Sequence, residues 1–260
     1  MLKKLRLLLL APLWLACQSS DPASEFSPEP DLAAYIDDAP LLKKTYCFDG
    51  SCTELSNEEN YIYNTAGKLI KMEQSSRMVS GKLEVQSYTD YLYNNDGGLA
   101  SRIMYHKNGT ASDWVPANAS EYEYVNGVLT LEKTYSYLYS SFQKTLTGLI
   151  KYEFKDGKKL EQKWFDKENN PLYRVEYTYK NDVLSLEKWY YGSEGKVNRT
   201  FEHKFAGNRR QIGEYLSSSK EQLAMIEKTY DEKGRLSTQV TKVSNPLLCA
   251  LAPGLIRYNY

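Results

Sequence analysis

Between residues 121 and 135 the chain reads EYEYVNGVLTLEKTY: Tyr122 and Tyr124 alternate with Glu121 and Glu123, an Asn-Gly pair interrupts, and Leu129 and Leu131 alternate with Thr130 and Glu132. A period of two is the strand signal, and Asn-Gly between two such runs predicts a tight hairpin. On the second run Leu129, Leu131, Tyr135, Tyr137 and Tyr139 share one face, interrupted by Lys133, while Thr130, Glu132, Thr134 and Ser136 share the other. One apolar and one polar face predict an antiparallel sheet packed on one side.

The pattern recurs along the chain. The aromatic residues just before each turn are Tyr63, Tyr93, Tyr124, Phe154, Tyr179, Phe205, Tyr230 and finally Tyr260, at steps of 30, 31, 30, 25, 26, 25 and 30 residues. After each of the first seven come a turn and an aliphatic residue, as in YNTAGKL, YVNGVL and YDEKGRL. A nearly fixed period marks a repeat architecture in which each unit leans on its neighbours. Residues 41–260 therefore read as one all-β domain. The expected form is an antiparallel meander of hairpin repeats, about fifteen strands in one long curled open sheet. The longer early steps predict strands that shorten along the sheet. The 23 Tyr against 7 Phe suit either a thin curled sheet, with rings buried and hydroxyls free to reach polar partners, or simply high β-propensity.

YDEKGRL, residues 230–236, resembles the YD repeat of the RHS family, Tyr-Asp, two variable residues, Gly-Arg-Leu; YNTAGKL is the next nearest unit. In that family the repeats build a sheet that rolls into a shell, often around a toxin. The resemblance implies the same local construction over residues 59–241. With seven units and a longer period, an open curled sheet is expected here rather than a closed cargo shell.

The first residues carry a different pattern. Lys3, Lys4 and Arg6 precede an apolar run from Leu7 to Ala16, and this segment 1–16 reads as an export signal. Its end, LWLAC, resembles the lipobox of bacterial lipoproteins, which implies lipid on Cys17 and membrane attachment through it. By the same resemblance Gln18 points to the outer membrane, on its periplasmic or surface side. Residues 17–40 form an acidic linker with four prolines and no Lys or Arg, a composition expected to stay flexible. The remainder, 41–260, holds 30 basic and 27 acidic groups, that is 33 less the three of the signal and 33 less the six of the linker. So balanced a domain offers no basic footprint for nucleic acid.

Catalytic chemistry is sparse in the sequence. His106 and His203 stand far apart, with no metal-ligand spacing, and no phosphate loop or nucleophile elbow is present. Glu123, Glu153 and Glu176 recur beside the repeat tyrosines and are expected to be solvated cross-strand charge partners; a glycosidase-like carboxylate pair is the alternative. No enzyme, cofactor or metal is expected. In CFDGSC, Asp49-Gly50 signals a two-residue turn that would set Phe48 opposite Ser51 and Cys47 opposite Cys52, close enough for a disulfide. Cys249 is then left most simply as a buried thiol; the alternatives, Cys47 or Cys52 joined to Cys249, need long-range pairing that the sequence leaves open. Counted from the aliphatic residue after each turn, Phe165, Trp189 and Tyr215 fall at odd offsets on one polar face, a candidate aromatic row for a sugar or a protein partner. Three functions follow as expectations: a lipid-anchored binding or scaffold module for a protein or glycan, a purely structural envelope component, and a cryptic carboxylate-dependent hydrolase or toxin-system accessory.

Overall fold

The structure, a computed structural model, describes residues 40–47, 52–107, 113–138, 141–192, 195–244 and 254–260. The signal segment 1–16, Cys17, the linker up to residue 39 and the run containing Cys249 lie outside the described residues. The described strands are β1 (Lys43–Cys47), β2 (Leu55–Tyr63), β3 (Leu69–Arg77), β4 (Leu83–Tyr93), β5 (Leu99–Lys107), β6 (Trp114–Val125), β7 (Val128–Tyr137) and β8 (Lys144–Lys155). They continue with β9 (Lys158–Asp166), β10 (Pro171–Lys180), β11 (Val183–Tyr191), β12 (Val197–Ala206), β13 (Arg209–Leu216), β14 (Gln222–Tyr230), β15 (Leu236–Val243) and β16 (Gly254–Asn259). Strands preceding the repeat turns run 11 and 12 residues in β4 and β6, and 10 and 9 in β12 and β14, following the spacing of the repeat.

Each strand pairs antiparallel with its sequence neighbours, and β1 also pairs with β16, from Lys43 opposite Asn259 to Cys47 opposite Leu255. The sheet is therefore a closed barrel, which corrects the open curled sheet expected from the sequence. Two features explain the closure. In six of the seven hairpins the register slips immediately before the pre-turn aromatic residue; Thr178 faces Leu186 but Tyr179 faces Leu184, leaving Ser185 as an extra residue. Such bulges increase local twist and bend the strand, so a series of them coils the sheet. The second feature is a split eighth unit. Tyr260 closes the series of pre-turn aromatics, and Leu41 and Leu42 stand where the post-turn aliphatic residue belongs. Leu42 N donates to Asn259 O at 2.8 Å, so β16 and β1 pair as the two strands of the other hairpins do, without a connecting turn.

The turn chemistry accounts for the YD pattern. Asp231 Oδ1 accepts from the amides of Lys233 and Arg235, both at 2.9 Å, and Oδ2 takes the Arg235 guanidinium at 2.8 Å. Asn64 does the same for Ala66 and Lys68 at 3.0 and 2.9 Å. In the two-residue turn, Asn126 and Gly127 have φ of 52° and 76°, the left-handed pair that a tight hairpin requires.

Register sorts the side chains into two walls. Glu59, Tyr91, Glu132, Ile150, Val175 and Glu214 share one face and are all buried, which identifies the inner wall. The opposite face carries ion pairs such as Lys133–Glu123 at 2.5 Å, Lys163–Glu161 at 2.5 Å and Arg174–Glu176 at 3.1 Å. A wall facing lipid tails bears an apolar band, and each Arg or Lys at mid-bilayer costs about 2–4 kcal/mol. This charged outer wall is built to face water.

Candidate functional site

In the first six units the repeat places two ring-bearing positions on the inner wall, both before the turn: Tyr61 and Tyr63, Tyr91 and Tyr93, Tyr122 and Tyr124, Tyr152 and Phe154, Tyr177 and Tyr179, His203 and Phe205; the seventh has Lys228 and Tyr230. Several of them reach back to the preceding unit. The pre-turn hydroxyl donates to a backbone carbonyl: Tyr93 to Leu69 at 2.9 Å, Tyr179 to Lys159 at 3.1 Å, Tyr260 to Leu236 at 3.1 Å and Tyr63 to Leu41 at 2.8 Å. The ring two residues earlier reaches a side chain of the neighbouring return strand, Tyr152 to Glu132 at 2.7 Å and Tyr177 to Gln162 at 3.1 Å. These links use the ring for burial and the hydroxyl for an otherwise unmet backbone or carboxylate partner.

His203 occupies the tyrosine position of the sixth unit and makes the equivalent contact, Nε2 to Glu187 Oε1 at 3.0 Å. Its Nδ1 receives Arg210 Nη2 at 2.6 Å and Nε at 3.2 Å. A guanidinium only donates, so Nδ1 carries no proton and Nε2–H donates to Glu187. Both ring nitrogens are thereby engaged. Burial pushes the Glu187 carboxyl up, but His203, the Trp189 indole N–H at 3.2 Å and Arg210 outweigh it, and the pKa lies below the usual carboxylate range.

Trp189 belongs to this inner wall. Its ring stacks beside Trp164 of β9 with centroids 6.0 Å apart, and Phe201 of β12 lies 5.7 Å away on the other side. Val175, between the indoles on β10, is fully buried. Arg199 and Glu214, paired at 2.7 Å, border the platform beside Phe201. Three half-buried rings edged by a carboxylate and a guanidinium can stack on a flat apolar face and fix its polar edges.

Phe165 and Tyr215 are elsewhere. Pairing with Leu149 puts Phe165 on the outer wall, with Lys151 Nζ 4.4 Å from its ring centre. Tyr215, opposite Thr200, is also on the outer wall, its ring folded over Gly213. The three therefore do not form one row. Ser185 is the cause: as the bulge residue it turns Leu184 and Trp189 to the same face, whereas the sequence count had set them on opposite faces. Trp164, Phe201 and the Glu187–His203 pair went unnoticed. HKF standing where other units read YIY, YLY, YEY or YTY was the signal for the last.

Cys47 and Cys52 form a disulfide, with Cα atoms 4.9 Å apart. The strand register beside it differs from the expected turn: Cys47 faces Leu55, while Cys52 precedes β2 with φ of 61°. Phe48 and Ser51 lie outside the described residues. Glu123, Glu153 and Glu176 line the outer wall; Glu153 faces Glu161, but Glu161 is held by Lys163 at 2.5 Å and Arg174 at 3.6 Å. A shallow pocket of about 250 Å³, lined by Tyr191, Lys196, Val197, Asn198 and Ser218, sits at the end away from the repeat turns.

No known protein family's sequence pattern matches the chain, and no curated protein matches it. Several solved structures resemble it in part. A porin-like protein from Bacteroides uniformis is 11% identical, with 85% of this chain and 96% of that one covered at a TM-score of 0.40. A protein of unknown function from Bacteroides fragilis is 15% identical over 52% of this chain and 91% of that one, TM-score 0.38. In a TcdB2–TccC3–Cdc42 crystal structure the match is 8% identical over 83% of this chain and 16% of that one, TM-score 0.28. None of these three reaches a TM-score at which function would follow from likeness.

Proposed function

We propose that the chain is a lipid-anchored protein of the cell envelope, held at the outer membrane through Cys17, whose barrel serves as a binding or scaffold module rather than an enzyme. The platform of Trp164, Trp189 and Phe201 carries this reading, with a glycan as its ligand. Sugar rings offer apolar C–H faces to indoles and hydroxyls to Glu187 and Arg199, and burial of such aromatic area dominates binding energy. With both nitrogens of His203 engaged and Glu187 held ionised, the site orients a ligand without an evident proton donor. Glycan-array binding of the parent beside Trp189→Ala tests it: the parent should bind and the variant lose at least tenfold, from about 2 kcal/mol of stacking. Equal binding by both would leave a structural role. A protein partner is the second reading. It is favoured by the outer-wall cluster of Tyr88 stacked on Tyr105 at 4.7 Å with Trp114 edge-on at 5.0 Å, and an envelope pull-down with Trp114→Ala separates the two.

A further inference from the structure

The inner wall changes character around the ring. Further from the repeat turns than the paired ring-bearing positions, β3 and β4 carry Gln74, Ser76, Ser87 and Thr89 on this wall. β9 to β12 bring rings there: Trp164, Tyr173, Trp189, Tyr191 and Phe201. In the ring of sixteen strands β3 and β11 are eight places apart, so the aromatic side stands opposite hydroxyls and an amide. These rings stay part-exposed inside a closed barrel, and the inner-wall contacts described above join strands one or two places apart. A dry core would pack its large side chains to full burial. The aromatic wall thus borders a lumen with room for a ligand.

The rings also follow one another inward. Tyr191 and Tyr173, edge to face with centres 5.1 Å apart, stand nearest the mouth away from the repeat turns, where Tyr191 lines the shallow pocket. Tyr191, Trp189 and, opposite Glu187, Phe201 succeed one another at two-residue steps, about 6.6 Å each along a strand. Charges beside this track are matched within the protein, Arg199 with Glu214 at 2.7 Å and Glu187 with His203 at 3.0 Å. We propose that the platform is the inner part of a track for a linear, uncharged oligosaccharide, which enters from that mouth and stacks successive sugars on Tyr191, Trp189 and Phe201. The ligand is linear because the stacking positions are in line, and uncharged because the track leaves no net charge to neutralise. Opposite the rings, Gln74 and Ser87 offer the polar groups that a sugar's hydroxyl edges require. The inference rests on the glycan reading of the platform, and the test keeps the two apart.

The full chain is titrated on immobilised size ladders, from disaccharide to hexasaccharide, of linear glucose, N-acetylglucosamine, mannose and xylose oligomers, with galacturonic acid oligomers as the charged comparison. On a neutral ladder, affinity should rise about tenfold from disaccharide to tetrasaccharide, as further rings are covered, and then level off. Tyr191→Ala should remove that gain and leave the disaccharide nearly unchanged, Tyr191→Phe should keep it, and Trp189→Ala should weaken every length. Phe165→Ala, on the outer face of β9, should change nothing. A thermal melt confirms that the variants fold, and the parent's own length dependence tests the track without them. Sugar binding with no gain in length, a gain that survives Tyr191→Ala, an equal loss in Phe165→Ala, or tighter binding of the galacturonic acid ladder overturns the track and leaves the glycan reading of the platform standing. A parent that binds no sugar of any length overturns both.

Discussion

The two walls of the barrel hold the same kinds of ion pair and use them differently. On the inner wall Glu214 is 1% exposed and meets Arg199 at 2.7 Å, and Glu59 is buried among Lys44, Tyr46 and Tyr61. On the outer wall Glu123 meets Lys133 at a similar distance, but with both side chains well exposed. Water and salt share the outer pair's field, whereas the inner carboxylate was stripped of water and depends on its partner. Contact geometry alone therefore says little about energy; the surroundings of the pair decide.

The largest expected contrast is Glu214→Ala, which leaves Arg199 facing a desolvated gap and should destabilise by about 3–5 kcal/mol in urea titration. Glu123→Ala, its outer counterpart, should fall within about 0.5 kcal/mol. Val175→Ala, at a fully buried position beneath the two indoles, should cost about 2 kcal/mol and redshift tryptophan fluorescence as water enters. A shift this large at a position of the outer wall would remove the distinction between the walls.

Acid should separate the walls as well. Burial raises the Glu59 carboxyl, but Lys44 and the hydroxyls of Tyr61 and Tyr46 outweigh it, and its pKa lies below the usual range. A carboxyl depressed in the folded state stabilises above its unfolded value of about 4.3, and that stability is lost as pH falls from there through the folded value. Outer pairs such as Lys144–Glu121 depress their carboxylates too, but at about 1 M salt the Debye length shrinks to about 3 Å and their share fades. Acid sensitivity that survives high salt, and flattens in Glu59→Gln, is the expected signature of the inner wall. Among the inner-wall changes the smallest effect is Tyr179→Phe, which deletes one hydroxyl latch to Lys159 and should cost about 1 kcal/mol.

Much of this was legible in the residues. Alternation around Tyr122–Leu131 and the turn residues Asn126-Gly127 specify hairpins because both are local. Trp189 was misplaced because Ser185 is a bulge, and nothing within LSLEKWY distinguishes an extra residue from a paired one. Closure was missed because it depends on Lys43 meeting Asn259, a pairing between the two ends of the domain that no local period encodes. Even so, Tyr260 completing the series and Leu41-Leu42 standing without a preceding turn were its trace.

The split eighth hairpin also imposes a schedule. During synthesis β1 is made first and its partner β16 last, so the growing sheet keeps two open edges until the final residues emerge. Exposed edges recruit other strands, and bringing ends some 200 residues apart together costs about 5 kcal/mol in chain entropy. A chain with this seam gains from staying open until both partners are made and then closing in one step. A circular permutant joined from Tyr260 to Leu41 and opened at the Asn126-Gly127 turn would move the vulnerable edge to the β6–β7 junction and change which intermediates aggregate.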